Sequence, residues 1–193
     1  MPNPKYRIAL FASGNGTNAE EIFKHFQHHP SIEIVLLLSN NENAYVLERA
    51  KKYDIASKTF NREQWKESKL VLDWLREKGV THVVLAGFMW LIPEYLVKAF
   101  PNKIINIHPA LLPKFGGKGM YGMKVHEAVK TANEKETGIT IHLVNEKYDE
   151  GKIILQARCP VALDDTSEQI ARKVHQLEYE HYPVVIQKWI LNG

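Results

Sequence analysis

The chain has 193 residues, of which 45% are hydrophobic and 24% charged, the proportions of an ordinary globular protein expected to form a single domain over residues 1–193. Its net charge of +3 comes from Lys and Arg scattered among Asp and Glu, which argues against a nucleic-acid partner and favours small anionic ligands. No apolar run approaches the roughly 20 residues of a membrane helix, and no signal-like segment opens the sequence, so we expect a cytoplasmic protein without a membrane partner.

Strand-like and helix-like segments alternate along the chain. Apolar runs predict strands at 6–12, 32–39, 81–86 and 103–108, and amphipathic segments predict helices at 19–28, 45–53 and 62–78. Runs without polar alternation suit parallel strands covered on both faces. Segments 139–144 and 153–160 predict an antiparallel pair, and a final helix runs from about Ser167 toward Asn192. The predicted fold is α/β, a Rossmann-like open sheet with a parallel N-terminal half and an antiparallel C-terminal extension.

A polar pair ends the strand at 103–108. Asn106 and His108 lie two residues apart, so both side chains face the same side of an extended strand, and Pro109 stops the strand directly after them. Asp149 lies in a polar turn from which its carboxylate can approach His108. We expect this carboxylate to raise the pKa of His108. Although each residue alone also fits an ordinary turn, together Asn106, His108 and Asp149 favour catalysis of acyl transfer to an amine.

A second constellation, residues 13–18, lies between the first strand and the first helix, where open α/β sheets bind phosphate. Gly14, Gly16 and Ala19 satisfy the dinucleotide fingerprint in form. The second strand, however, ends in Ser39-Asn40-Asn41, without the acidic residue that holds a ribose. The loop therefore suits one terminal phosphate better than a pyrophosphate, and a plain strand-to-helix turn is the alternative.

Other polar residues fit structural roles. His142 is expected in the core or at the pocket rim, and Cys159 as a small core residue. His126-Glu127 lacks the second histidine of a zincin motif, and no Cys/His spacing favours a metal site, so we expect none.

Five motifs in order resemble the phosphoribosylglycinamide formyltransferase family over essentially the whole chain: 13–18 (SGNGTN), 85–89 (LAGFM), 106–113 (NIHPALLP), 138–142 (GITIH) and 149–156 (DEGKIILQ). The resemblance implies formyl transfer from the co-substrate 10-formyltetrahydrofolate to glycinamide ribonucleotide, a step of purine biosynthesis. It also implies site roles: a phosphate subsite of Gly16, Thr17 and Asn18; a sugar or glycinamide contact at Glu178; and a folate pocket of Met89, Trp90, Leu91, Ile92 and Asn106, with the turn 144–149 over the pteridine.

An amine attacks the formyl carbon, and Asn106 and His108 stabilise the oxygen of the tetrahedral intermediate. His108, Asp149 or a bound water relays the protons, and the sequence does not choose among them.

The sequence departs from the family pattern at two places. Trp90 stands where many members carry an arginine, so the folate glutamate tail needs another partner, for which Arg62 is our hypothesis. The loop 114–124 is longer and richer in glycine than usual, which fits either a mobile flap or a tolerated surface insertion.

Three alternatives stay open. The chain could act on another amine, as sister formyltransferases do on aminoacyl-tRNA or nucleotide sugars, or it could hydrolyse formyltetrahydrofolate. The third is a non-catalytic module that binds a nucleotide phosphate and uses Asn106, His108 and Asp149 structurally.

Overall fold

The computed structural model describes residues 5–66 and 69–192. The strands are β1 (Tyr6–Phe11), β2 (Ile32–Ser39), β3 (Ser57–Thr59), β4 (His82–Leu85), β5 (Ile104–His108), β6 (Glu136–Leu143) and β7 (Ile153–Pro160). The helices are α1 (Thr17–Phe26), α2 (Val46–Lys52), α3 (Arg62–Lys66), α4 (Leu70–Glu77), α5 (Glu94–Ala99), α6 (Met123–Thr131) and α7 (Ser167–Asn192). Within the described ranges, no helix is long and apolar enough to cross a membrane.

The strands form one seven-stranded sheet in the order β3-β2-β1-β4-β5-β6-β7. The first five strands in this order pair in parallel, whereas β6 pairs antiparallel with both β5 and β7. The predicted open sheet with a parallel half and an antiparallel extension is thereby confirmed.

Two hydrophobic cores cover the sheet, one on each face. The alternation of β1 shows how they form: Ile8 and Leu10 pack into one core, and Ala9 and Phe11 into the other. Helices α1, α6 and α7 contribute to the first core, and α3, α4 and α5 to the second. Strands buried on both faces are continuous apolar runs, which is why the sequence pattern located them.

Several boundaries differ from the predictions. Helix α1 begins at Thr17, two residues before the predicted start, and the predicted helix at 62–78 is described as α3 and α4, with residues 67 and 68 outside the described part. Strand β6 begins at Glu136 rather than at 139, and the short elements β3 and α6 were not predicted.

The order of the strands places a crevice above the middle of the sheet. Strand β1 leads to β2 on one side, whereas β4 and then β5 pair on its other side. In open α/β sheets, ligands bind outside the carboxyl ends of the strands where the strand order reverses. The segments that follow β1, β4 and β5 meet at this edge.

Candidate active site

A cavity of about 530 Å³ lies at this edge. It brings together the predicted catalytic and phosphate residues and two of the four folate-segment residues: Gly16, Thr17, Asn18, Met89, Trp90, Asn106, His108, Asp149 and Glu178. Leu91 and Ile92 line an adjoining cavity of about 550 Å³ instead, and the Ile92 side chain is buried in the core.

Asn106 is held by a histidine on the neighbouring strand. Asn106 of β5 lies opposite His142 of β6, and its Nδ2 donates a hydrogen bond to His142 Nε2 at 3.1 Å. His142 Nδ1 in turn lies 2.8 Å from the carbonyl of Leu143, which can only accept, so Nδ1 carries the proton and Nε2 is the acceptor. His142 is buried as expected, but its contact with Asn106 was missed.

His108 is almost fully buried, and both of its ring nitrogens face protein groups. Nε2 lies 2.7 Å from the carbonyl of Phe115, to which it donates, and Nδ1 lies 3.5 Å from Asp149 Oδ2. Protonation of Nδ1 would therefore give the ring a second favourable contact, with the carboxylate.

Asp149 acts to raise the pKa of His108, as expected, but it does not set the net direction of the shift. Burial, which disfavours the charged ring, lowers the pKa of His108 below its ordinary value and outweighs the raising effects of Asp149 and the Phe115 carbonyl. The sequence located the carboxylate but did not show the depth of burial. The resting imidazole is therefore neutral near pH 7.

Asp149 lies between two imidazoles. Its Oδ2 faces His108, its Oδ1 is 3.6 Å from His142 Nε2, and Oδ2 accepts a hydrogen bond from the Gly117 amide at 2.9 Å. Burial alone would raise the pKa of Asp149, but the attraction of His142 and His108 when either ring is protonated, together with the Gly117 hydrogen bond, lowers it, so the carboxylate stays charged. Asp149 has a left-handed backbone with φ 57°, an uncommon conformation that Asp adopts more readily than most residues.

The turn after His108 is fixed by a buried network. Thr140 Oγ1 donates to the carbonyl of Ala110 at 2.7 Å and accepts from the Leu112 amide at 3.0 Å. Gln156 Nε2 donates to both Thr140 Oγ1 and the Leu112 carbonyl at 2.9 Å. Strands β6 and β7 thus anchor the turn, which keeps His108 at the floor of the cavity.

The predicted phosphate loop turns into α1 at Gly16. Gly16 has φ 77°, and a Cβ there would lie 2.2 Å from Val46 Cγ2, so both its conformation and its close packing require glycine. Gly16, the N-cap residue of α1, has no side chain with which to cap the helix. Ser13 Oγ accepts a hydrogen bond from the Met89 amide at 3.0 Å, which joins this loop to the segment after β4.

The folate side predicted from the resemblance is an aromatic wall. Trp90 packs against Phe60 and Phe88, and the Arg62 guanidinium lies 5.3 Å from the centre of the Trp90 ring. Arg62 and Trp90 line both cavities. Tyr148 Oη accepts a hydrogen bond from the Leu91 amide at 3.1 Å, which connects the turn bearing Asp149 to this wall.

The glycine-rich loop lies against two of the predicted catalytic residues, His108 and Asp149. Besides the Phe115 carbonyl and Gly117 amide contacts, residues 117–122 line the main cavity. The loop is thus part of the site rather than a remote surface insertion. Its mobility stays a prediction.

A second polar group faces the cavity from α6 and α7. Glu178, buried, lies 2.8 Å from His175 Nδ1, and this hydrogen bond is the main reason that the pKa of His175 is raised. His126 is also buried, which lowers its pKa to about 4. His126 and His175 were not predicted as site residues, although the i, i+3 spacing of His175 and Glu178 indicates a shared helix face. Across residues 5–66 and 69–192, no group of three or more His, Cys, Asp or Glu is arranged to hold a metal ion.

A family model described as formyl transferase matches residues 6–186. The chain belongs to the formyl transferase family. It is 40% identical over 186 residues to the chloroplastic phosphoribosylglycinamide formyltransferase of Arabidopsis thaliana, covering 93% of this chain and 64% of that protein. It is 37% identical to the phosphoribosylglycinamide formyltransferase of Bacillus subtilis, covering 94% and 93% of the two chains.

Comparison with solved structures supports the same family assignment. The crystal structure of phosphoribosylglycinamide formyltransferase from Anaplasma phagocytophilum superposes with a TM-score of 0.85 at 36% identity, covering 94% of this chain and 85% of that chain. The chain therefore has the formyltransferase fold.

Proposed function

We propose that this protein transfers the formyl group of 10-formyltetrahydrofolate to the amine of glycinamide ribonucleotide. The main support for this proposal is that Asn106, His108 and Asp149 line the same cavity as the N-terminus of α1 and the aromatic wall at Trp90. The start of α1 suits a phosphate, the polar residues suit the reacting amine, and the aromatic wall suits a folate. The relatives named above are called phosphoribosylglycinamide formyltransferases, which supports this choice of substrates.

The ribonucleotide phosphate is assigned to Gly16, Thr17 and Asn18. The first amides of a helix lack partners within the helix, and the helix dipole favours an anion there. All three residues line the cavity, and α1 has no competing side-chain cap. Glu178, which lies on α7 and lines the same cavity, offers acceptor oxygens to the sugar or glycinamide end.

Formyl folate is assigned to the wall of Met89 and Trp90, with Leu91 and Ile92 behind them and Asn106 reaching the reacting end. An indole stacks well on flat aromatic groups. Trp90 cannot pair with the carboxylates of the glutamate tail, but the guanidinium of Arg62 above it can, and Arg62 also borders the adjoining cavity. The turn 144–149 would cover the pteridine.

In the reaction, the neutral amine attacks the formyl carbon and negative charge develops on the formyl oxygen. Asn106 donates to that oxygen, and one preorganised donor of this kind is worth about 3 kcal/mol. Asn106 uses its amide for His142 as well, and this contact fixes its orientation before substrate arrives. The charged Asp149 stabilises positive charge on whichever imidazole becomes protonated.

Protons must then pass from the attacking nitrogen to the leaving N10 nitrogen. Because burial lowers its pKa, His108 is neutral at rest and can accept a proton at Nδ1, beside Asp149. Its Nε2 proton is held by the Phe115 carbonyl, so the leaving N10 nitrogen competes with that carbonyl for it. Acceptance at Nδ1 and donation from Nε2 moves one proton through the ring and leaves it in the Nδ1–H form, which must lose that proton and regain one at Nε2 before the next turnover.

Three substitutions test the enzyme against a phosphate-binding module. Asn106→Ala, His108→Ala and Asp149→Asn should each reduce kcat by about 100-fold or more, while binding of D-ribose 5-phosphate, measured by calorimetry, stays near that of the wild-type protein. Wild-type turnover in any of the three variants would remove that residue from the mechanism. Phosphate binding without turnover in the wild-type protein would favour the binding module.

A further inference from the structure

The carbonyls of the phosphate loop are held on its outer side by α2. The Gly14 carbonyl accepts a hydrogen bond from the Val46 amide at 3.1 Å, and the Asn15 carbonyl accepts from Arg49 Nε at 2.8 Å. In a planar trans peptide, the N–H points opposite to the C=O. The amides of Asn15 and Gly16 are therefore turned away from α2.

Those amides belong to residues that line the main cavity. Turning two consecutive carbonyls away from the cavity leaves it lined by backbone N–H groups, an arrangement that binds anions. One of the two carbonyls depends on a side chain, that of Arg49. Without this donor, the peptide between Asn15 and Gly16 could flip and present its carbonyl oxygen to the anion.

Arg49 is itself firmly oriented. A second nitrogen, Nη2, donates to Asn15 Oδ1 at 2.7 Å, and Nη1 pairs with Glu20 of α1. The guanidinium also lies 5.0 Å from the centre of the Tyr45 ring. The Arg49 side chain is only 16% exposed, so its guanidinium is held in one orientation by Asn15 and Glu20 and does not form a solvated surface ion pair.

We propose that Arg49 is a positioning residue of the phosphate subsite: it holds the Asn15 carbonyl outward so that the loop presents N–H groups to the anion. Arg49 is not among the residues that line the main cavity, so we assign it no contact with the reacting atoms. The identity of the anion as the phosphate of glycinamide ribonucleotide rests on the function proposed above, whereas the orientation of the loop does not.

The test replaces Arg49 by Met, which keeps an unbranched aliphatic side chain but removes the guanidinium and its contacts with Asn15, Glu20 and Tyr45. The affinity for D-ribose 5-phosphate should fall about tenfold, the loss expected for one or two charge-assisted hydrogen bonds at a partly exposed site. The KM for glycinamide ribonucleotide should rise by a similar factor, with kcat and the KM for formyl folate within about twofold of wild type.

Two further variants separate positioning from charge. Lys51→Ala removes one positive charge from an exposed position on the same helix and should leave ribose 5-phosphate binding unchanged. Arg49→Lys keeps the charge but cannot donate to both Asn15 oxygens from a planar fork, so it should restore only part of the affinity. Arg49→Lys also serves as the deciding variant if Arg49→Met does not fold, as monitored by circular dichroism.

Wild-type affinity in Arg49→Met or in Arg49→Lys, or an equal loss in Lys51→Ala, would overturn the proposal. Because ribose 5-phosphate binding is measured without turnover, it reports on Arg49 even if formyl transfer fails. If the wild-type protein bound ribose 5-phosphate but did not formylate glycinamide ribonucleotide, the proposed function alone would fail.

Discussion

The side-chain amide of Asn106 donates to His142 Nε2 at 3.1 Å, across the pairing of β5 with β6. His142 in turn is fixed by the Leu143 carbonyl and lies 3.6 Å from Asp149. His142 therefore connects the proposed oxyanion donor to the carboxylate that stabilises His108. The proposed catalytic geometry thus depends on a residue that need not contact substrate.

His142→Ala should lower kcat about tenfold, because Asn106 loses a hydrogen bond worth about 1 kcal/mol and with it a fixed orientation. The KM for glycinamide ribonucleotide should be unaffected. Steady-state kinetics provide the measurement, and the exposed His28, which lines a different cavity, provides the control as His28→Ala. A wild-type kcat in His142→Ala would show that Asn106 needs no such support.

The pH dependence of kcat/KM should reflect the lowered pKa of His108. If the neutral ring is the active form, activity falls as the pH drops through this pKa, which lies below the ordinary value of 6.5. Because Asp149 raises the pKa of His108, Asp149→Asn should move the acid limb of the profile to still lower pH, in addition to lowering its plateau. A limb that moves to higher pH would contradict this assignment.

Gly16→Ala should weaken phosphate binding and destabilise the fold. The new Cβ would lie 2.2 Å from Val46 Cγ2 at a residue with φ 77°, which costs about 1–3 kcal/mol of the free energy of unfolding. Denaturant unfolding and ribose 5-phosphate titration measure the two effects. The double variant with Val46→Ala should recover only a small part of the stability, since the Cγ2 contact goes but the residue 46 Cβ, at 2.5 Å, and the backbone strain stay. Wild-type affinity in Gly16→Ala would show that the loop tolerates a shift.

Arg62→Ala should raise the KM for formyl folate about tenfold through the loss of a charged contact with the glutamate carboxylates. The KM for glycinamide ribonucleotide should not change. The effect should disappear with a formyl folate analogue that lacks the glutamate, and Arg76→Ala, at a side chain 65% exposed on α4, should behave as wild type. An unaltered folate KM in Arg62→Ala would refute this role.

The parts of the fold that sequence predicts well are those with strong local patterns. Val35 to Leu38 in β2 form an unbroken apolar run, and Asn106 and His108 share a strand face by simple alternation. Both side chains do line the cavity. Helix α6 was not predicted because it follows a glycine-rich loop and has a weak apolar pattern, with only Val125, His126 and Val129 buried.

Other features depend on contacts between distant segments. Strand β6 was predicted to begin after Gly138, yet this glycine lies within the strand. A Cβ there would lie 1.9 Å from the Ala157 carbonyl oxygen, so the close approach of β7 leaves room only for glycine. The contact of His142 with Asn106 follows from the register of β6 against β5, which composition does not reveal. The lowered pKa of His108 depends on its burial, which requires the assembled cavity.

Formyl transfer can be followed by the absorbance of 10-formyltetrahydrofolate as it loses its formyl group, with and without glycinamide ribonucleotide. We expect loss of the formyl group only when the amine is present, with one formylated ribonucleotide formed for each folate converted. Loss at an equal rate without the amine would make the protein a hydrolase, and no loss in either case would contradict catalysis by Asn106, His108 and Asp149.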